Sequence, residues 1–67
     1  MINVTINGDP HRVDGDLNLK DLLLKLDIEE DNVAVEHNLE IVPKSTFDQV
    51  NIGDGDALEI VHFIGGG

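Results

Sequence analysis

Apolar and polar residues alternate strictly over positions 2–7, with the three aliphatic side chains at the even positions on one face. A period of two residues predicts a strand with one buried face. Turn-forming residues (Asn-Gly-Asp-Pro) occupy positions 7–10, and a short strand over 11–13 completes a predicted hairpin.

The next pattern has the period of a helix. Leu19, Leu22, Leu23 and Leu26 recur at intervals of three and four residues, which aligns them on one helical face. Asn18 precedes this run and is of a residue type that caps helix N-termini. We expect one amphipathic helix, followed by a loop with at most a frayed turn.

The remainder of the chain contains short elements. Patterns over 33–36, 41–42 and 58–63 predict strands, while 45–48 predicts a single helical turn and 54–56 (Asp-Gly-Asp) a tight turn. The order is therefore strand, strand, helix, strand, strand, short turn, strand. It predicts an α+β roll, in which one main helix lies across a mixed sheet of about five strands.

Composition and charge narrow the classes of partner. The chain has 67 residues, 40% of them hydrophobic, and a formal net charge of −10. Such an acidic domain would be repelled by nucleic acids and by acidic membrane surfaces. No apolar run approaches a membrane span, and the N-terminus lacks the features of a signal peptide. We expect a cytoplasmic domain whose partners present basic or apolar surfaces.

Candidate catalytic and metal-binding groups are weak. The chain has no cysteine, so it offers no thiol nucleophile, thiolate metal site or disulfide. His11, His37 and His62 fall on three different elements, and Asp54 and Asp56 are better explained as turn residues than as an acid–base pair. We predict no catalytic residue, no metal site and no bound cofactor.

The C-terminus ends in Phe-Ile followed by three glycines. A frayed tail is one interpretation, because disorder concentrates at chain ends. A functional tail is the other, since glycine lacks a side chain and can thread a narrow channel. Such a tail would deliver a free α-carboxylate, the one group of this chain that is available for acyl chemistry.

Several segments, taken together, carry a family resemblance. They are Ile-Asn-Gly at 6–8, the helix segment 19–23, Asn-Leu-Glu-Ile-Val-Pro-Lys at 38–44, Phe47, Asp-Gly-Asp at 54–56 and the terminal glycines. The chain resembles the ubiquitin-like β-grasp sulfur carriers over its whole length. Asn-x-x-Ile-Val-Pro followed by a basic residue is similar to the ThiS-type carriers of thiamine biosynthesis in particular.

The resemblance implies a carrier without catalysis of its own. A ThiF-type enzyme would adenylate the terminal carboxylate with ATP, a persulfide system would supply sulfur, and a ThiG-type thiazole synthase would accept it. Gly67 would then bear the thiocarboxylate, and Gly65 and Gly66 would thread partner active sites. Family tails commonly end in two glycines, so trimming by one residue would move these roles back by one. Residues 1–64 would form the β-grasp domain and residues 65–67 the flexible tail.

Three apolar residues next to the tail are candidate partner contacts: Val61, Phe63 and Ile64. In a strand whose Leu58 and Ile60 face the core, Val61 and Phe63 point outward. Phe63 could instead cap the open end of the core. Three other functions remain open at this point: a molybdopterin-synthase sulfur carrier, a ubiquitin-like protein modifier and an interaction domain with an inert tail.

Overall fold

A mixed sheet of five strands forms the frame of residues 1–63, the part of the chain that the computed structural model describes. Its strands are β1 (Ile2–Ile6), β2 (Asp9–Val13), β3 (Val33–His37), β4 (Glu40–Ile41) and β5 (Ala57–His62). The helical elements are α1 (Leu19–Lys25) and two 3₁₀ helices, Glu30–Asn32 and Lys44–Gln49. The sheet order is β2-β1-β5-β3-β4, with β1 and β5 parallel and the other neighbours antiparallel. The predicted α+β architecture is confirmed.

The first hairpin is tighter than the sequence pattern predicts. Its turn consists of Asn7 (φ 52°) and Gly8 (φ 83°), so that Asp9 already pairs with Ile6. Two consecutive residues with positive φ form the turn whose twist matches that of the flanking strands. Pro10 is tolerated within β2, although it donates no backbone hydrogen bond, because β2 is an edge strand.

Helix α1 begins and ends with defined hydrogen bonds. At its start, Asn18 Oδ1 accepts a hydrogen bond of 2.8 Å from the backbone N–H of Asp21, as the sequence predicts. At its end, the N–H groups of Asp27 and Ile28 donate to the carbonyls of Leu24 (3.1 Å) and Leu23 (2.9 Å). This is a Schellman motif, with Asp27 in the left-handed conformation (φ 59°) where glycine is the usual residue.

The core lies between the sheet and the helical elements. Eleven buried hydrophobic residues form it: Val4, Ile6, Leu19, Leu22, Leu23, Val33, Val35, Phe47, Ile52, Leu58 and Ile60. The second 3₁₀ helix packs beside α1, since Asn18 Nδ2 donates to the Asp48 carbonyl (3.2 Å) and the Leu19 N–H to the Val50 carbonyl (2.8 Å). Phe47 of that 3₁₀ helix thereby reaches the centre of the core.

Element boundaries differ from the sequence expectations by a few residues. Strand β4 covers Glu40–Ile41 rather than 41–42, because a two-residue turn with positive φ at Asn38 and Leu39 brings Glu40 opposite His37. The last strand ends at His62, and a 3₁₀ helix occupies part of the predicted loop after α1. Within residues 1–63, no helix is long and apolar enough to cross a membrane.

Candidate functional site at the root of the tail

The two predicted partner-contact residues within the described region both point away from the core. The side chains of Val61 and Phe63 are 61% and 64% exposed, whereas Leu58 and Ile60 are buried. Val61 lies opposite Ala34 on the face of the sheet that points away from α1. The predicted orientation of the last strand is confirmed. The role of both residues in partner binding stays a prediction.

Phe63 is held in place through its backbone. Its N–H donates a hydrogen bond of 2.9 Å to the carbonyl of Asn32, the last residue of the first 3₁₀ helix. This bond extends the pairing between β5 and β3 by one step beyond His62 and Val33. The predicted contact residue Ile64 and the glycines Gly65, Gly66 and Gly67 lie outside the described residues. Phe63 is therefore the root of the tail.

The side chain of Phe63 borders a groove of about 260 Å³, which we call the tail groove. Its other lining residues are Glu30, Asp31, Val33, Ala34, Val42, Lys44 and Phe47. Phe47 belongs to the core, whereas Phe63 is largely exposed. Phe63 therefore does not cap the open end of that core. The tail root thus presents an aromatic ring beside an apolar depression, which suits contact with another protein.

An ion pair that sequence reasoning missed lies on the rim of the tail groove. Lys44 Nζ is 2.6 Å from Asp31 Oδ1, and both side chains are exposed. The hydrogen bond and charge of Lys44 lower the pKa of Asp31, and those of Asp31 raise the pKa of Lys44. The two residues are thirteen positions apart, so no local pattern indicates the pair. The basic residue after Ile-Val-Pro was the only available signal. The ion pair places Lys44, one of the four basic residues of the chain, beside the tail root.

The opposite end of β5 carries a second polar cluster, which holds the turn before that strand. Asp56 Oδ2 lies 2.7 Å from His37 Nε2 and accepts a hydrogen bond of 2.8 Å from the Gly53 N–H. Asp54 Oδ1 likewise accepts a hydrogen bond from the Asn3 N–H at 2.8 Å. The two acids of the Asp-Gly-Asp segment therefore anchor backbone, which supports the turn interpretation over acid–base chemistry.

No convergent chemistry accompanies these clusters in residues 1–63. The three histidines lie on β2, β3 and β5, and no group of three His, Asp or Glu side chains in that range could hold a metal ion. What the geometry offers is an exposed strand end beside an apolar groove.

Comparison with known proteins decides the family. The model of the ThiS family matches residues 4–67, which is nearly the whole chain. The chain belongs to the ThiS family. The predicted ThiS-type, ubiquitin-like carrier is confirmed, and the family consists of small sulfur carrier proteins rather than catalysts.

Individual relatives agree with this assignment. The "Sulfur carrier protein ThiS" of Bacillus subtilis is 45% identical over 49 residues, which are 73% of this chain and 74% of that protein. A crystal structure of a thiamine biosynthesis protein (ThiS) from Geobacter metallireducens superimposes with a TM-score of 0.85 at 40% identity. The match covers 98% of this chain and all of that one, and it confirms the β-grasp fold.

A third relative is much longer. The "Thiazole synthase" of Paramagnetospirillum magneticum is 48% identical over 66 residues, and the match covers 98% of this chain. The chain spans only 20% of the length of that protein, and likewise 20% of the thiazole synthase of Magnetococcus marinus.

Proposed function

We propose that this chain is a sulfur carrier of thiamine biosynthesis and that the terminal carboxyl group of Gly67 carries the sulfur as a thiocarboxylate. The observation that carries the proposal is the family match, which extends through residue 67 and so includes the glycine tail. The absence of cysteine supports the same assignment, since sulfur cannot be carried on a thiol of this chain.

The proposed loading has three chemical steps. A carboxylate is a poor acyl donor, so a ThiF-type partner first transfers AMP from ATP to it and releases pyrophosphate. A persulfide sulfur then attacks the acyl carbon and AMP leaves, which gives an acyl disulfide. A second thiol reduces the sulfur–sulfur bond and frees the thiocarboxylate. ATP serves as a substrate of the partner, and we propose no cofactor bound to this chain.

Chain geometry determines where the partners must touch the carrier. Residues 64–67 can span at most about 14 Å, even when fully extended. A partner that acts on the carboxyl group of Gly67 must therefore approach Phe63 closely. The exposed Val61 and Phe63 side chains support this contact, and Ile64 would extend it. We assign Gly65 and Gly66 to the narrow segment that enters the partner's active site.

The proposed acceptor of the sulfur is a thiazole synthase. Two thiazole synthases contain a segment similar to this chain within a longer protein, which supports a functional link between carrier and synthase. Loading of the carrier and transfer of its sulfur to the synthase would take place in the cytoplasm, where ATP is available to the activating enzyme.

The test follows radioactive sulfur from the loaded carrier. The thiocarboxylated chain is incubated with a thiazole synthase and its small-molecule substrates or, in parallel, with the catalytic subunit of a molybdopterin synthase and its precursor. The proposal predicts label in the thiazole product. Label only in the pterin product, or carrier chains attached to lysines of other proteins, would contradict it.

A further inference from the structure

A second groove lies at the C-terminal end of α1, and we call it the helix groove. It has a volume of about 300 Å³, and its lining includes the apolar residues Leu23, Leu24 and Ile28. Leu24 is 67% exposed, although it belongs to a helix whose apolar face is otherwise buried. Three carboxylates (Asp27, Glu29 and Glu30) and one ammonium group (Lys20) complete the lining.

The carboxylates around the helix groove do not stabilise α1. Asp27 follows the C-terminal end of α1 and faces the negative end of its dipole, which is unfavourable, whereas Glu29 and Glu30 lie outside α1, at the start of the first 3₁₀ helix. Asp27 also occupies a left-handed position, with φ of 59°, where glycine would be less strained. Among residues 1–63, none of the three carboxylates forms an ion pair with a lysine, arginine or histidine. Glu29 Oε2 accepts a hydrogen bond of 3.1 Å from the neutral amide of Asn32, so no ion pair in this range neutralises the acidic rim.

The helix groove adjoins the root of the tail. Glu30 lines both the helix groove and the tail groove. The 3₁₀ helix that begins at Glu30 leads into Val33, which pairs with His62 at the tail end of β5. A protein that contacts Phe63 can therefore extend across Glu30 into the helix groove. The tip of the β3–β4 hairpin, by contrast, lies at the other end of β5, where His37 pairs with Leu58.

We propose that the helix groove is a docking site for a basic segment of the adenylating enzyme, in which one apolar side chain flanked by arginine or lysine packs on Leu24 and Ile28. The inference rests on the proposed function for the choice of partner. Complementary charge favours a basic occupant, since three carboxylates and a single ammonium group line the groove together with its apolar residues. A second copy of this chain is disfavoured because each copy has a formal net charge of −10.

The test uses two variants with substitutions in the helix groove and one matched control variant. Leu24→Ser removes the apolar contact, and Asp27→Asn removes a charge with a residue that tolerates positive φ. Leu39→Ser is the control, because Leu39 is 87% exposed but lies at the far hairpin tip. Affinity for the adenylating enzyme is measured by calorimetry at two salt concentrations. We expect about tenfold weaker binding for Leu24→Ser, several-fold weaker and less salt-sensitive binding for Asp27→Asn, and no change for Leu39→Ser.

Thiocarboxylate formation separates this inference from the proposed function. With saturating enzyme, Leu24→Ser should reach the wild-type rate, because docking affects affinity and not the reacting group. Wild-type affinity of both groove variants would overturn the docking site. If sedimentation experiments show that the groove variants lose self-association and keep enzyme binding, the choice of occupant is overturned. A wild-type chain that binds but acquires no sulfur would contradict the proposed function and leave the docking result valid.

Discussion

Asp56 Oδ2 lies 2.7 Å from His37 Nε2, and this contact joins two residues that are nineteen positions apart in the sequence. The other carboxylate oxygen of Asp56 accepts a hydrogen bond of 3.2 Å from Asn38 Nδ2. The turn of the β3–β4 hairpin is thereby tied to the start of β5. Asp56 thus acts as a structural clamp at the end of the sheet that is remote from the tail.

The Asp56 clamp predicts a specific dependence of stability on pH. Burial raises the pKa of Asp56, but hydrogen bonds from Gly53, His37 and Asn38 outweigh burial, so that the pKa falls below its ordinary value of 3.8. A lowered pKa means that the carboxylate contributes stability above that ordinary value, and that this contribution disappears as the pH falls through the lowered pKa. Asp56→Asn should cost about 1–2 kcal/mol of unfolding free energy at neutral pH, and this difference from wild type should shrink in acid.

Urea denaturation of both proteins from neutral to strongly acidic pH checks this prediction. Asp48→Asn is the matched control, because it makes the same chemical change at an exposed position outside the clamp. A difference between wild type and Asp56→Asn that stays constant down to the lowest pH would show that the charge of Asp56 does not stabilise the fold.

Truncation of the two phenylalanines of the chain should change the stability of the domain by very different amounts. Phe47 is 1% exposed, whereas Phe63 is 64% exposed. Phe47→Ala should cost about 3–5 kcal/mol and unfold much of this small domain, because it leaves a cavity in the core. Phe63→Ala should change stability by no more than about 0.5 kcal/mol. Thermal denaturation measures both effects.

Binding experiments complete this comparison. Phe63→Asp should keep the fold and weaken binding to the adenylating enzyme and to thiazole synthase by about 2 kcal/mol, as is common for an anchor residue of an interface. If Phe63→Asp unfolds the domain, its side chain supports the core and the assignment of an outward-facing contact is wrong. If it binds like wild type, the tail root is not an interface.

The left-handed backbone of Asp27 predicts that replacement by glycine stabilises the protein. Asp27→Gly relieves the left-handed backbone at φ 59° and removes a negative charge from the helix C-terminus. Glycine also increases the entropy of the unfolded chain, which offsets part of this gain. The net expectation is about 0.5–1 kcal/mol higher stability in urea denaturation. An unchanged or lower stability would mean that Asp27 makes a favourable contribution at the end of the helix.

The elements with strong periodicity were predictable from sequence, because local pattern and burial agree there. Leu19, Leu22 and Leu23 are buried as predicted. Leu26 is only half-buried, since the helix ends at Lys25 and Leu26 is its C-cap. Strand boundaries at turns were less predictable, because positive φ at Asn7, Asn38 and Leu39 shortens both hairpin turns to two residues.

The site was predictable only where strand alternation determines it. The outward orientation of Val61 and Phe63 follows from the period of a strand. The tail groove and the ion pair between Asp31 and Lys44 depend on tertiary packing, which brings the end of one 3₁₀ helix beside the start of the other. Pairings across such distances leave no trace in a local pattern, so the structure was needed to find them.

Gly66→Val tests whether the glycines form a narrow thread. A β-branched side chain restricts the backbone and widens the segment that must enter the adenylating site. Even a displacement of about 1 Å can cost roughly a hundredfold in rate. We expect severe loss of carrier-dependent exchange of labelled pyrophosphate into ATP, with an unchanged circular dichroism spectrum. Normal exchange would contradict a steric role of the tail.

The proposed function requires that the terminal carboxyl group of the chain carries the sulfur. Intact mass spectrometry of the chain, after incubation with the adenylating enzyme, ATP and a persulfide donor, tests this requirement. We expect a mass increase that corresponds to the exchange of one oxygen for one sulfur, located at Gly67 by fragmentation and absent without ATP. An unchanged mass, or sulfur located at any internal residue, would contradict it.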